Sequence, residues 1–345
     1  DYHSNVVAAS LLPWLFYSLR KRNFGVAALL LALMLVSKEN VSLWLLFVCP
    51  GIAVEYRKLA RIRNFMLISS VICGAAFIVI VSLIMPAFSN TGDYPHFHYS
   101  FLGSNYKEAF LHLVSHPLES LKTLFVNHNN SPPGDFVKLE LHLLLVFSGL
   151  PILLLRPAYL LMLIPVYFQK LFHDNYYMWG IADQYSIEFA PVMAIGIFEV
   201  ISGVRRKRLA GFFSVLILVL TFASTFRVMD NTVIHTDKVN IRFYQKQHYK
   251  RSYNVAAVHK VLSGLPPDAI ISAQSPFLPH LALRDRIYQF PLIRDAKYIV
   301  FSFNEVPYPL TEKEFRMTTD SLKASDQWRV LYEGDIVILQ RDERY

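Results

Sequence analysis

The chain has 345 residues, is 54% hydrophobic and only 17% charged, and carries a formal net charge of +8. That charged fraction lies below the roughly 25% of soluble domains, which points to a membrane protein whose core is lipid-facing or interhelical. The positive charge does not argue for nucleic acid, because 12 of the 34 Lys and Arg residues sit in four short breaks between apolar segments, where they act as topology anchors. The two cysteines, Cys49 and Cys73, lie inside apolar segments, which argues against a disulfide or a Cys-based metal site.

Asp1-Tyr2-His3 leads straight into the first apolar segment, and we read the chain as a fragment that follows further N-terminal spans. About eight crossings are predicted: 5–19, 24–36, 41–54, 64–87, 139–155, 157–169, 184–202 and 209–228. The breaks alternate in character. The basic kind comprises Arg20-Lys21-Arg22, then Arg57, Lys58, Arg61 and Arg63, then Arg156, then Arg205-Arg206-Lys207-Arg208. These are expected to face the cytoplasm, because Lys and Arg resist translocation. The other kind comprises Asp1-Tyr2-His3, Lys38-Glu39-Asn40, the stretch 88–138 and the stretch 170–183, and is expected to share the outer face.

Segments 24–36 and 41–54 are short for a crossing, roughly 20 Å each at 1.5 Å per residue. A single span over 24–48 is the alternative, but it would put Arg57–Arg63 opposite Arg20–Arg22, against the positive-inside rule. Two crossings that turn at Ser37-Lys38-Glu39-Asn40 place two charges below the outer lipid surface, where charge is costly and marks function. A Lys38–Glu39 pair snorkelling at the interface is the structural alternative.

The outer loop 88–138 is too long for a connector. It opens with Asp93-Tyr94-Pro95-His96-Phe97-His98-Tyr99, in which Asp93, His96 and His98 could hold a metal and the aromatics fit an interfacial belt equally well. An amphipathic helical pattern continues through Tyr106, Phe110, Leu113, Val114, Leu118, Leu121 and Phe125, suited to lie along the membrane surface. His112, His116 and His128 are expected to be solvated or interfacial, and Ser131-Pro132-Pro133-Gly134 ends the pattern. In the second outer loop, His173-Asp174-Asn175 and Asp183-Gln184-Tyr185 flank the ring-rich strip Tyr176-Tyr177-Met178-Trp179, which would stack on a sugar or pack against headgroups. Asp183 doubles as a cap for the next span, and Glu188 stands one turn later.

The composition changes after residue 230. Residues 231–252 read as a linker or interfacial helix, and 253–345 as a small α/β domain, extracytoplasmic by parity of crossings. Its predicted elements are a helix over 253–263, strands over 269–273, 286–290, 297–302, 327–333 and 335–341, and a helix near 311–323, with Glu333-Gly334-Asp335 as a hairpin turn. No GxGxxG or P-loop appears, and no hydrolase or zinc-protease motif. The expected fold is mainly α: a polytopic transmembrane helical bundle over 1–230, continued by this domain.

Asp1-Tyr2-His3 opening a span, a basic turn, and Ser37-Lys38-Glu39-Asn40 in an apolar context resemble the bacterial and archaeal membrane proteins of domain of unknown function 2079. The stretch Ser272-Ala273-Gln274 through Pro279-His280-Leu281, with Arg284, Arg286-Ile287-Tyr288 and Phe290-Pro291, resembles the segment after that family's last span. The resemblance covers most of the chain, although Gln184-Tyr185 stands where the pattern has His-Tyr. That family is similar in layout to the GT-C glycosyltransferases, which take a sugar from a polyprenyl-phosphate carrier at the outer membrane face. The resemblance implies a main catalytic Asp in a preceding outer loop and a place in the plasma membrane of a prokaryote.

On that basis Glu39, Asp1 and Lys38 are the expected catalytic group, with Lys38 or a divalent metal offsetting the leaving phosphate. His3, Asn40, His173, Tyr176, Tyr177, Trp179, Asp183 and Tyr185 are the expected substrate-binding residues, and Asp1, His3 and Glu39 the expected ligands for Mg or Mn. The expected partners are the lipid bilayer and a polyprenyl-phosphate sugar. A multi-pass transporter or lipid flippase could use the same intramembrane Lys-Glu site, but no internal repeat is evident. A scaffold whose outer domain binds a partner is the third reading.

Overall fold

The computed structural model describes residues 3–89, 94–181, 184–235, 242–342 and 344. The chain divides into two compact units, Asp1–Arg242 and Phe243–Tyr345.

The first unit is helical. α1 (Ser4–Arg20) ends at the basic turn, where Arg22 adopts φ 57°. α2 (Phe24–Leu35) is capped by Asn23, whose side chain accepts from the Val26 amide at 3.1 Å. The turn at 36–38 leads into α3 (Glu39–Glu55), with extended Lys38 as its N-cap and Glu39 in the first turn, where a carboxylate suits the helix dipole. α4 (Ala60–Val79) runs through a π-helical stretch, Ile80–Ile84, into α5 (Met85–Phe88). Two short helices come next, α6 (Tyr106–Ser115) and α7 (Pro117–Thr123), broken at His116 because Pro117 cannot continue the helix before it. Then come α8 (Val137–Phe147), α9 (Pro157–Leu171), α10 (Phe189–Ser202) and α11 (Lys207–Asp230).

Among the described residues two helices are long and apolar enough to cross a bilayer: Ala60–Phe88, with 29 residues, and Lys207–Asp230, with 24. Both turn large side chains outward, among them Val71 and Leu83 on the first and Phe212 and Val219 on the second. Contiguous apolar surface of this kind is unfavourable in water and suits lipid. The segment predicted over 139–155 is not one helix. Gly149, at φ 97°, ends α8, and a 3₁₀ helix (Leu150–Leu155) takes over. A Cβ there would lie 2.8 Å from Ile197 Cδ1, so glycine is required on both counts.

The α3–α9 seam fixes the Lys38–Asn40 turn relative to the C-terminal end of α9. A Cβ on Gly51 would lie 2.5 Å from Met162 Cγ and 2.8 Å from the Ala158 carbonyl, so the two helices meet backbone to side chain without room for a methyl. Trp44 Nε1 donates to the Met162 carbonyl at 3.2 Å across the same seam. At the basic ends of the helices the charges pair: Arg20 donates to Glu199 and, at 3.1 Å, to Tyr56 Oη, while Arg156 donates to Glu55. Arg156 also approaches Glu199 at 3.9 Å.

In the second unit, α12 (Val255–Ser263), α13 (Leu278–Leu281) and α14 (Glu312–Ala324) accompany a five-stranded sheet. The strands are β1 (Ile271–Ala273), β2 (Ile287–Gln289), β3 (Tyr298–Phe301), β4 (Trp328–Glu333) and β5 (Val337–Arg341), in the order β2-β1-β3-β5-β4. β1 is parallel to β2 and β3, and β5 is antiparallel to β3 and β4. Ile271, Val300 and Ile338 fill one face against α12, and Phe290, Phe301, Phe315 and Leu339 the other. α14 starts with a capping box between Thr311 and Glu314. The described part of the expected linker, 231–235 and 242–252, holds a short 3₁₀ turn at Lys246–Tyr249 and no α-helix.

Candidate functional site

A cavity of about 1000 Å³ lies inside the helical unit. The start of α3 supplies Lys38, Glu39 and Asn40 to it, the end of α9 supplies Gln169 and Lys170, the start of α1 supplies Asn5, and the approach to α10 supplies Tyr185 and Glu188. These residues lie 183 positions apart at the extremes, and the packing of the helices brings them to one end. Much of the remaining lining is apolar: Phe47 and Phe77, then Phe110, Leu113, Val114 and Leu121 from α6–α7. Phe110, Val114 and Leu121 are also exposed outward, so the apolar wall continues onto the surface of the unit.

The polar floor is held by few bonds. Asn40 Nδ2 donates to Gln169 Oε1 at 3.1 Å, and Asn5 Nδ2 donates to Glu188 Oε1. Glu188 is only 6% exposed. Lys170 Nζ donates to the carbonyls of Met178 and Gly180 at 2.7 and 2.8 Å, which clamps the ring-rich loop to α9. Among the described residues Lys38 and Glu39 form no ion pair with each other.

Two loops close the cavity. Asp174 joins them: its carboxylate accepts from the Ser100 amide at 2.8 Å and from Ser100 Oγ at 2.6 Å, and its amide donates to the His98 carbonyl at 2.8 Å. His98 and His173 face each other at 5.6 Å between ring centroids, and Tyr99 lies 5.5 Å from His173. His173 Nδ1 accepts from the Asn175 amide at 2.9 Å. Burial, then the neighbouring His98, lowers the His173 pKa to about 4, so its ring is neutral near pH 7.

The structure divides the expected site residues. Lys38, Glu39, Asn40, His173 and Tyr185 share the cavity wall. His3 caps α1 and is not on that wall. Asp1, Asp93 and Asp183 lie outside the described residues. Tyr176 and Tyr177 stack on each other at 4.6 Å, with Tyr177 facing outward. Trp179 is a correction: it is 0% exposed, donates from Nε1 to the His173 carbonyl at 2.7 Å, and carries Lys138 Nζ 4.4 Å above its ring. A ring enclosed in this way supports the loop and is not presented to a ligand. His128 is half-buried. It meets buried Lys138 at 2.9 Å, and burial, then that lysine, lowers its pKa to about 4.

His96 packs against Tyr94 while His98 pairs with His173, so the two-residue spacing does not make a chelating pair by itself. Among the described residues no three His, Cys, Asp or Glu side chains come together. Glu188, Asn5, Gln169 and Lys170 join the site without being among the residues the sequence singles out for it. Each stands at a helix end inside or beside an apolar run, and the local signal is a charged or amide side chain where lipid would disfavour it.

A family profile described as "predicted membrane protein (DUF2079)" matches residues 1–337. No curated protein and no solved structure matches the chain.

Proposed function

The chain belongs to the DUF2079 family of predicted membrane proteins, and from that premise we propose that it is a polytopic, membrane-embedded glycosyltransferase of GT-C type. Its donor is a sugar carried on a polyprenyl phosphate. The observation that carries this reading is the amphipathic cavity: its lining combines lysine, carboxylate and amide groups with apolar side chains, of which Phe110, Val114 and Leu121 of α6–α7 are also exposed. A lipid-phosphate sugar combines the same two kinds of group. Lys38 offsets the phosphate charge as the sugar departs, and Glu39 supports the acceptor side of the reaction.

In this reading the basic breaks lie in the cytoplasm, the cavity opens at the outer leaflet of a prokaryotic plasma membrane, and the C-terminal unit is extracytoplasmic, where it docks acceptor. The described members of the expected metal set, His3 and Glu39, do not share the cavity wall, so no step is routed through a metal. Glu188 also favours a second reading, since a buried carboxylate on a cavity wall is what a proton-coupled carrier uses.

The test is turnover of polyprenyl-phosphate sugars by the protein in lipid nanodiscs, with and without Mg²⁺ or Mn²⁺. Lys38→Ala should weaken binding of a polyprenyl phosphate about tenfold or more, the loss of one charge-assisted contact. Glu39→Gln should abolish transfer while leaving carrier binding near wild type. Unchanged carrier affinity in Lys38→Ala would sink this placement of the phosphate. Flux into vesicles without sugar release would favour the carrier.

A further inference from the structure

Two oxygen acceptors on the cavity wall have no protein partner among the described residues: Oε2 of Glu188 and Oδ1 of Asn40. Both side chains are otherwise fixed, Glu188 by the Asn5 amide on Oε1 and Asn40 by its own amide on Gln169 Oε1. The free oxygens are therefore held in place and indicate what must meet them. A buried acceptor without a donor is costly, so a ligand that fits here brings hydrogen-bond donors. The wall already carries the cations Lys38 and Lys170 beside the carboxylates Glu39 and Glu188, so its charges balance without a further ammonium group. Hydroxyl groups are neutral donors and leave that balance undisturbed.

We propose that Glu188 and Asn40 form a hydroxyl-binding subsite that holds the sugar of the lipid-linked donor, with Asn5 and Gln169 as positioning residues behind them. This deepens the proposed function and rests on it. The α1–α10 contact through Asn5 and Glu188 and the α3–α9 contact through Asn40 and Gln169 set the two acceptors on separate helix pairs. Glu188→Gln is the informative variant. It keeps the size of the side chain and an oxygen for the Asn5 bond, but puts an N–H donor where Oε2 accepts.

The experiment compares affinities of the full chain in lipid nanodiscs for two probes, farnesyl phosphate and farnesyl phosphoryl glucose. Wild type should bind the sugar-bearing probe about tenfold or more tightly than the bare phosphate, the value of a hydrogen bond to a charged group. Glu188→Gln should level the two affinities while leaving that for farnesyl phosphate within about threefold, the size of context effects. Asn40→Ala should lower the sugar increment in the same direction, which guards against a Glu188 variant that fails to fold. If wild type binds farnesyl phosphate but gains nothing from the sugar, or if both variants keep the gain, the subsite is wrong and the lipid-phosphate reading stands. If wild type binds neither probe, the proposed function falls and the subsite with it.

Discussion

At one end of the helical unit Arg20 donates to Glu199, and Arg156 donates to Glu55 while standing 3.9 Å from Glu199. At the other end Lys38 and Glu39 stand without pairing to each other, and Glu188 and Asn40 each keep an acceptor without a protein partner among the described residues. The same helices, α1, α3 and α10, contribute to both ends, so composition does not distinguish them. Closure does. At the basic end both carboxylates, Glu55 and Glu199, are taken up by arginines, while the cavity end leaves acceptors with capacity for something else. A structural end and a binding end can thus be told apart by counting what each polar group still lacks.

The largest expected effect comes from the seam that both ends depend on. Gly51→Val places side-chain atoms where Met162 and the Ala158 carbonyl already lie, and α3 cannot retreat without moving Trp44 from Met162. We expect a loss of about 1–3 kcal/mol, read as a lowered unfolding midpoint in nanodiscs. The variant should damage the two ends together, because α3 carries Glu39 and Asn40 at its start and Glu55 at its end. An unchanged midpoint would mean that the close approach of α3 and α9 is not what holds the unit.

A paired comparison comes next in size. Arg156→Met leaves Glu55, with its side chain 14% exposed, without its main partner. Arg156 itself is one-third exposed, so solvent discounts the pair, and the expected cost is about 1 kcal/mol. Glu188→Gln removes a buried carboxylate that is only half satisfied, and should leave stability within about 0.5 kcal/mol of wild type or above it. Equal losses in the two variants would erase the distinction between a closed end and an open one.

Much of the helical unit is legible in the sequence. Apolar runs and their basic breaks mark α1, α2, α3, α11 and the run from α4 through α5 to within a few residues, because an apolar helix writes its length into hydropathy. The five strands and the helices α12 and α14 of the C-terminal unit are equally legible from turn residues and alternation, although short α13 and the order of the strands in the sheet are not. The break at Gly149 is hidden, since an isolated glycine in an apolar run reads as tolerated until its neighbours Ile197 and Ile217 are known. Glu188 is hidden for a related reason: its partner Asn5 lies 183 residues away, and no local pattern links them. Trp179 misleads in the opposite direction. A Trp in a loop beside tyrosines reads as a stacking surface, but Lys138, itself 2% exposed, reaches up from α8 and claims its face.

The smallest expected effect separates the ends by pH. His173 sits in one of the two cavity loops and His128 packs against both, on Phe101 and Trp179, and burial holds both near a pKa of about 4, below the 6.5 of an unperturbed histidine. Their pKa is lowered on folding, so the unfolded chain takes up protons first as the medium acidifies. Their contribution is complete above about pH 6.5 and is lost as pH falls toward 4. The neighbouring groups are His98, Asp174 and Lys170 around His173, and Lys138 and Asp174 around His128. Asp174 opposes the trend at both rings, joined at His128 by a hydrogen bond to the Phe172 backbone. Hydrogen exchange across this range should therefore show the 94–102 and 172–180 loops losing protection while the 53–57 segment at the basic end, which holds no histidine, keeps it. His173→Gln should flatten the acid loss in the loops without raising exchange at neutral pH, because the glutamine oxygen can still accept from the Asn175 amide. Acid loosening that spreads evenly over both ends would place the sensitivity in the carboxylates of the ion pairs instead, and the cavity loops would lose their claim to be the movable part of the site.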